Sequence, residues 1–201
     1  RLHNQYGITK YDIITEKGEK WMEEVAIETF NMTGQFEDVN VLGLEPYENL
    51  TNCTAAPYAS YLLNKEKITK KELQDATDLI RLSEDQFTFW DTMPDKLGLR
   101  KIATPCVFEQ YKYQTPVDAS AHNVAMAFLD LYEETGDKLA FAKAKALIDN
   151  MTIVQNKGNG QMPTTWDFRT PARHKNRTFW VNCTYASVTA LLRMDKLTEE
   201  K

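Results

Sequence analysis

Acidic side chains in the loop segments are the residues of this chain best suited to breaking a covalent bond. Glu109 lies in the run Phe108-Glu109-Gln110-Tyr111-Lys112-Tyr113. Because aromatic surroundings disfavour a charged carboxylate, they would raise its pKa and keep it protonated near neutral pH. A protonated carboxyl group facing a second carboxylate cleaves glycosidic bonds, at about 5–5.5 Å for retention or about 6.5–9.5 Å for inversion. The competing interpretation is that Glu109 is a solvated loop acid.

The second carboxylate has several candidates. Asp118 precedes His122 by four residues, so both side chains would share one face of a helix. Such a pair at the start of a charge-poor helix would bind sugar hydroxyls or relay a proton. The alternative is that Asp118 caps the helix and His122 is a satisfied core histidine. The other candidate acids are Glu37, Asp38, Glu45, Asp91 and Asp167.

A Trp-Asp pair occurs twice, as Trp90-Asp91 and as Trp166-Asp167. In a sugar subsite the indole ring stacks on the apolar face of the sugar, and the carboxylate accepts hydroxyl groups. The alternative is structural, with each Trp packing a loop and each Asp capping it. Further candidate binding residues are Tyr111, Trp180 and Asn182.

The chain has one basic run, which contains Arg169, Arg173, His174, Lys175 and Arg177. It would hold uronate carboxylates or sulfates, which favours a lyase or an uronyl hydrolase; the alternative is a solvated loop. The three histidines lie far apart without ligand spacing, and the sequence has no Cys-x-x-Cys. We therefore expect no zinc site and no cofactor.

Composition and charge restrict the class of protein. The chain has 201 residues, of which 42% are hydrophobic and 26% are charged, as in ordinary globular domains. The net charge of −5 argues against nucleic acid as a partner. No apolar run approaches the roughly 18–20 residues of a membrane span. Arg1-Leu2-His3 is not the start of a signal peptide, so we expect the chain to begin inside a longer protein or after processing.

We expect neither disulfide bonds at the cysteines nor glycans at the asparagines of this chain. The three cysteines cannot all pair within one chain, and their apolar or small neighbours favour buried free thiols. Six Asn-x-Ser/Thr matches occur, but some fall in or beside predicted buried helices, so we do not expect glycans there. The matches begin at Asn31, Asn49, Asn52, Asn150, Asn176 and Asn182.

Apolar periodicity predicts mostly helices to position these residues. Residues 1–16 are expected to be irregular, with an extended segment at 11–14. Trp21, Val25 and Phe30 should face inward on the first helix. The helix after the turn at Gly136-Asp137 should turn its lysines outward and bury Leu139, Ala142, Ala146, Ile148 and Ile153. The predicted helices span 19–30, 52–63, 70–85, 118–135, 138–155 and 180–194, with loops at 86–116 and 156–179.

Three helix openings resemble one another and indicate an internal repeat. They are Asn52-Cys53-Thr54-Ala55, Asp118-Ala119-Ser120-Ala121 and Asn182-Cys183-Thr184, about 65 residues apart. In each unit a charge-poor helix should be buried, and the following helix, charged on one face, should lie outside. Stacked hairpins of this kind form a closed ring or an open solenoid.

Three successive stretches of the chain resemble the six-hairpin, or (α/α)6 toroid, glycosidase-like superfamily. They are Phe128-Leu129-Asp130-Leu131-Tyr132-Glu133-Glu134-Thr135-Gly136-Asp137, then Ala142-Lys143-Ala144, then Gln155-Asn156 to Gly160. The resemblance is good over 118–168 and weaker over 50–95 and 178–196. It implies an all-α toroid with a cleft where the loops meet the starts of the inner helices. It also implies a carbohydrate substrate and a periplasmic or secreted location.

A complete toroid of this superfamily has six hairpins, whereas this chain accounts for about three. We therefore expect one domain of hairpins over 1–201, with units 19–48, 52–116, 118–179 and 180–201, forming part of a larger ring. Self-association or a missing N-terminal half would complete it. The favoured function is a glycoside hydrolase using Glu109 with Asp91, Asp118 or Asp167. A uronate-directed lyase and a non-catalytic glycan-binding module are the alternatives.

Overall fold

The computed structural model describes residues 6–29, 52–90, 105–109, 116–155, 157–165 and 181–199. These residues are mostly helical, which confirms the all-α class predicted from the sequence. The chain divides into two compact units, residues 1–32 and 33–201. The repeated helix openings all lie in the second unit.

The first unit contains helix α1 (Asp12–Trp21), a π-helical turn (Met22–Ala26) and helix α2 (Ile27–Thr29). The extended segment predicted at 11–14 is wrong, because a turn with Asp12 N–H bonded to the Thr9 carbonyl at 3.0 Å starts the helix there. Residues 12–16, which were predicted to be irregular, are therefore helical.

The predicted inward face of this segment is also wrong. Trp21 and Val25 are 51% and 43% exposed, whereas Met22, Ala26 and Ile27 are buried. The π-helical turn inserts extra rotation at this point, so the spacing of an ordinary α-helix misassigns the face. Phe30 lies outside the described residues.

The second unit is built from two helical hairpins and a further helix. Helix α3 packs against α4 and helix α5 against α6, while α5 also packs against α3 and α7. The charge-poor helix α5 therefore contacts both of the other charge-poor helices, α3 and α7. The helices are α3 (Ala55–Leu63), α4 (Lys70–Phe87), α5 (Asp118–Thr135), α6 (Lys138–Val154) and α7 (Val181–Glu199).

The turn between α5 and α6 forms as its residue types predict. Gly136 adopts a φ of 73° just after α5, a conformation that a side chain would strain. The Asp137 side chain caps α6 by accepting a hydrogen bond from the Leu139 N–H at 2.8 Å. The apolar residues that recur at helical spacing along α5 predict one buried face, and all of them are buried: Ala121, Val124, Ala125, Phe128, Leu129 and Leu131.

The predicted face of α6 is wrong in part. Leu139 and Ile153 are 60% and 46% exposed. Ile148 is buried as predicted, and the rest of the buried apolar stripe consists of Ala140, Ala144, Leu147, Met151 and Val154. Nor do all the lysines point outward, because Lys143 forms a partly buried ion pair with Glu84 of α4 at 2.6 Å. This pair links the outer helices of the two hairpins.

Helices α5 and α7 are held together by an ion pair in a partly buried position. Arg193 of α7 donates to Asp130 of α5 at 2.6 Å and also to Glu133. Asp130 is 5% exposed. Burial by itself lowers the pKa of Arg193, but the two carboxylates outweigh burial and raise it above its ordinary value. The guanidinium therefore stays charged and fixes α7 beside α5.

Two short strands interrupt the segment that was predicted to be a loop. Strand β1 (Thr88–Phe89) pairs antiparallel with β2 (Cys106–Val107), with Thr88 opposite Val107. None of the three cysteines forms a disulfide bond; Cys106 and Cys183 are buried, as predicted, whereas Cys53 is half-buried. In the described parts of the chain, no helix is long and apolar enough to cross a membrane.

Candidate functional site

The segments around β2 gather the starts of the inner helices at one end of the second unit. Phe108 forms an antiparallel bridge with Pro116, and the Val117 N–H donates to the Val107 carbonyl at 2.9 Å. Val117, which immediately precedes α5, also bridges Thr165. Loop segments that are distant in sequence therefore meet where α5 begins.

Glu109 lies at this meeting point, beside the start of α3. Its backbone carbonyl accepts a hydrogen bond from the Asn52 N–H at 2.8 Å. Its carboxylate oxygen Oε1 accepts a hydrogen bond from Cys53 Sγ at 3.6 Å. The residue is half-buried, and the adjoining Phe108 is buried with its ring 6.4 Å from that of Phe89. Tyr111 and Tyr113 lie outside the described residues, so the aromatic setting of the Glu109 carboxylate stays a prediction.

Two buried asparagines anchor the segment that carries Glu109, and sequence reasoning assigned them no structural role. Asn150 of α6 donates from Nδ2 to the Pro105 carbonyl at 2.8 Å. Asn52 is 1% exposed, and its Oδ1 accepts a hydrogen bond from Ser83 of α4 at 2.7 Å. Both asparagines begin Asn-x-Thr matches, at which we expected no glycan. Polar residues next to apolar helical runs were the signal that would have identified them.

The start of α7 is tied to the same loop region. The Met162 N–H donates to Thr184 Oγ1 at 3.2 Å. Met162 and Thr165 belong to one described segment, so the contacts of this segment reach the start of both α5 and α7. Asn182, a predicted substrate-binding residue, is exposed in the first turn of α7. The structure thus places Asn182 and Asp118 at the starts of neighbouring helices.

Asp118 is the first residue of α5, and Val117 occupies the N-cap position without a side-chain cap hydrogen bond. Asp118 therefore does not occupy the N-cap position that the structural alternative assigned to it. A carboxylate in the first turn of a helix is still stabilised by the helix dipole.

His122 lies one turn further along α5. Burial lowers the pKa of His122, against a hydrogen bond to the backbone of Ala186 in α7 that raises it. The imidazole is therefore neutral at neutral pH. Within the described structure its Nδ1 is buried and has no hydrogen-bond partner. His122 thus joins α5 to α7 through one ring nitrogen and keeps the other unsatisfied.

Trp90 follows β1 and packs between the hairpins. Its ring centroid lies 6.1 Å from that of Phe128 on α5, and Lys143 Nζ lies 5.8 Å from the Trp90 centroid. Its Nε1 is buried and lacks a hydrogen-bond partner among the described residues. These contacts give Trp90 a packing role, and a sugar-stacking role for it stays a prediction.

The other predicted site residues lie outside the described residues. They are Glu37, Asp38, Glu45, Asp91, Tyr111, Trp166, Asp167, Arg169 and Trp180, together with the rest of the basic run. Among the described side chains, no group of three or more His, Cys, Asp or Glu residues is arranged to hold a metal ion.

Comparison with known proteins adds no relative to this geometry. No protein-family model, no curated protein and no solved structure matches this chain.

Proposed function

We propose that this protein is a carbohydrate-active enzyme, most specifically a glycoside hydrolase. The observation that carries the proposal is the position of Glu109, a half-buried carboxylate anchored where loop segments meet the starts of α3 and α5. The two successive hairpins support the repeat on which the resemblance to the six-hairpin superfamily rests. A toroid of such hairpins would place its cleft at this end.

In this proposal Glu109 is the proton-transferring carboxylate and Asp118 is the second. Residues 107–108 pair antiparallel with residues 116–117. Glu109 follows the first of these two segments and Asp118 follows the second, so the two acids lie at opposite ends of the pair. Their backbone positions are then about 10 Å apart along the strand direction, at about 3.3 Å per residue.

The neighbouring polar groups have roles that suit this chemistry. Asn182 is exposed at the start of α7 and would bind a sugar hydroxyl. His122, held neutral by burial, would keep the starts of α5 and α7 together through its hydrogen bond to the backbone of Ala186. Neither group needs to change charge during the reaction.

The experiment that tests the proposal is cleavage of a panel of oligosaccharides by the wild-type chain and by Glu109→Gln. The exposed acid Glu134, in the last turn of α5, supplies the control variant Glu134→Gln. We expect the combined mass of the products to exceed that of the substrate by one water molecule. The cleavage rate should fall about 10²–10⁴-fold in Glu109→Gln and stay unchanged in Glu134→Gln. The anomeric configuration of the first product, followed by NMR, distinguishes an inverting from a retaining hydrolase.

Other outcomes would point to a different function. Products that absorb ultraviolet light through a new double bond would indicate a lyase. Retention of a sugar without cleavage would indicate a binding module. Wild-type rates in Glu109→Gln would exclude Glu109 from the proton transfer.

A further inference from the structure

Cys53 contacts the carboxylate to which the proposed function assigns proton transfer. Its Sγ donates a hydrogen bond to Oε1 of Glu109 at 3.6 Å, across 56 residues of sequence. Cys53 is half-buried and lies in the turn that leads into α3. A thiol is a weak donor, so it orients a carboxylate only where the main chain holds both partners in place.

Backbone hydrogen bonds hold the main chain on both sides of this contact. The Asn52 N–H, next to the thiol, donates to the Glu109 carbonyl at 2.8 Å. Asn52 is fixed in turn by α4, because Ser83 Oγ donates to its Oδ1 at 2.7 Å and both residues are buried. On the other side, the Phe108 N–H donates to the Phe87 carbonyl at 2.8 Å. The fold itself therefore brings the thiol to Glu109.

The direction of the hydrogen bond gives the two carboxyl oxygens of Glu109 different roles. In a protonated carboxyl group one oxygen carries the proton, and the other is the better acceptor of a hydrogen bond. Oε1 accepts from the thiol, so the transferable proton belongs on Oε2. When that proton leaves, the carboxylate becomes charged, and hydrogen bonds to charged acceptors are roughly twice as strong as neutral ones. The thiol therefore stabilises Glu109 more after proton transfer than before it, which lowers the barrier.

The second copy of the same tripeptide has different surroundings. Asn-Cys-Thr also occurs in the first turn of α7, where Cys183 is 1% exposed and belongs to the buried face of that helix. The repeat by itself therefore places a cysteine in the core. The half-buried position of Cys53 beside Glu109 is particular to the start of α3, and Cys183 offers a matched control for it.

We propose that Cys53 is a positioning residue for Glu109, which holds Oε1 so that the proton is transferred from Oε2. This inference rests on the proposed function for the reaction itself. The proton passes from Oε2 to the leaving-group oxygen as the glycosidic bond breaks, and water supplies the hydroxyl group that joins the anomeric carbon. The thiol keeps its proton throughout, and no bond to sulfur forms or breaks.

Titration of Glu109 by NMR, with carbon-13 in the glutamate carboxyl groups, tests the contact without a substrate. Glu109→Gln identifies the signal by removing it. In Cys53→Ala the pKa of Glu109 should rise by about 0.3–1, because the charged form loses a donor. Cys53→Ser keeps a donor and should return the pKa to the wild-type value or below, and Cys183→Ala should leave it unchanged. An unchanged pKa in Cys53→Ala, or the same rise in Cys53→Ser, would overturn the proposal.

Hydrolysis rates of the same variants test the role of the contact in the reaction. Cys53→Ala should lower kcat about 3–10-fold with KM nearly unchanged, because the thiol contacts Glu109 and acts in the transition state. The basic limb of its kcat/KM profile should move to higher pH, and Cys53→Ser should restore both properties. Far-UV circular dichroism verifies that each variant keeps its helix content.

The outcomes separate this inference from the proposed function. Loss of hydrolysis in Glu109→Gln with wild-type kcat in Cys53→Ala would refute the positioning role and leave the hydrolase standing. A change in KM alone would also refute the positioning role. A raised pKa in Cys53→Ala, reversed in Cys53→Ser, without cleavage of any oligosaccharide by the wild type would refute the hydrolase and leave only the contact.

Discussion

Removing one partner of the ion pair between Arg193 and Asp130 should destabilise the protein strongly. Replacing both partners together should restore most of that stability. Asp130 is 5% exposed and accepts a hydrogen bond from Arg193 at 2.6 Å. Removing one partner of a buried pair leaves an uncompensated charge and costs about 3–5 kcal/mol. The Arg193 side chain is 21% exposed, so water partly screens the pair. We therefore expect the lower end, about 3 kcal/mol, for Arg193→Met.

The double variant distinguishes the energy of the pair from the cost of leaving one charge alone. Asp130→Leu combined with Arg193→Met replaces the pair with apolar side chains of similar size. Such a replacement is close to neutral, so we expect the double variant to lie within about 1 kcal/mol of the wild type. Asp130→Leu alone should also be destabilising, because it leaves Arg193 with only the exposed Glu133.

Urea unfolding followed by circular dichroism measures these changes. A loss of about 3 kcal/mol corresponds to a fall in Tm of roughly 6–12 °C for a chain of this size. Lys145→Met is the control, because its pair with Asp149 is exposed and should contribute less than about 0.5 kcal/mol. The reasoning fails if Arg193→Met costs under about 1 kcal/mol, or if the double variant loses the sum of the two single losses.

Further predictions concern the caps and turns of the helices. Hydrogen bonds from Lys65 and Thr69 lower the pKa of Glu72 from 4.5 to about 2, so its contribution to stability is complete above pH 4.5 and is lost as the pH falls towards 2. Glu72→Gln should therefore destabilise the protein at neutral pH and converge with the wild type in acid, as urea titrations at several pH values would show; equal losses at all pH values would contradict this. Thr69→Ala, which removes the cap of α4, should cost about 1 kcal/mol in thermal unfolding, and a change below about 0.3 kcal/mol would count against the cap. Gly136→Ala should lower the free energy of unfolding by about 1 kcal/mol, because the φ of Gly136 is 73°, even though a Cβ there would meet no atom within 4 Å. Gly18→Ala, within α1, should instead raise the free energy of unfolding, because alanine favours a helix more than glycine does. Changes of the same sign in both variants would refute this argument.

The central hairpin was predicted well because its local signals agree with its packing. Gly136 and Asp137 mark the turn between α5 and α6, and each does there what its residue type favours. Thr69 likewise marks the start of α4, and Glu72 completes a capping box with it. Apolar spacing gave the core face of α5 because that helix is buried on more than one side.

The faces of the less buried helices were harder to predict. On α6 the core is lined largely by small residues such as Ala140 and Ala144, while the larger Leu139 points to solvent. Size alone therefore selected the wrong stripe. In the first unit, Ile13 and Ile14 suggested an extended segment because two adjacent β-branched residues favour strands. Helical turn formation after Thr9 overrides that preference.

The position of Glu109 depends on contacts that periodicity does not encode. Asn52 and Asn150 fix its segment through side-chain and backbone hydrogen bonds over long sequence distances. The aromatic neighbours of Glu109 are visible in the sequence, but its closeness to the start of α3 is not. The sequence neighbours of Glu109 made it a candidate, whereas its contacts with the start of α3 required the tertiary structure.

The measurement that most directly tests the account is the cleavage of oligosaccharides by the wild-type chain beside Glu109→Gln and Glu134→Gln, with products analysed by mass and by ultraviolet absorbance. We predict hydrolysis by the wild type and by Glu134→Gln, without ultraviolet-absorbing products, and a loss of about 10²-fold or more in Glu109→Gln. Equal rates for all three proteins, or no cleavage of any oligosaccharide, would contradict the proposed function.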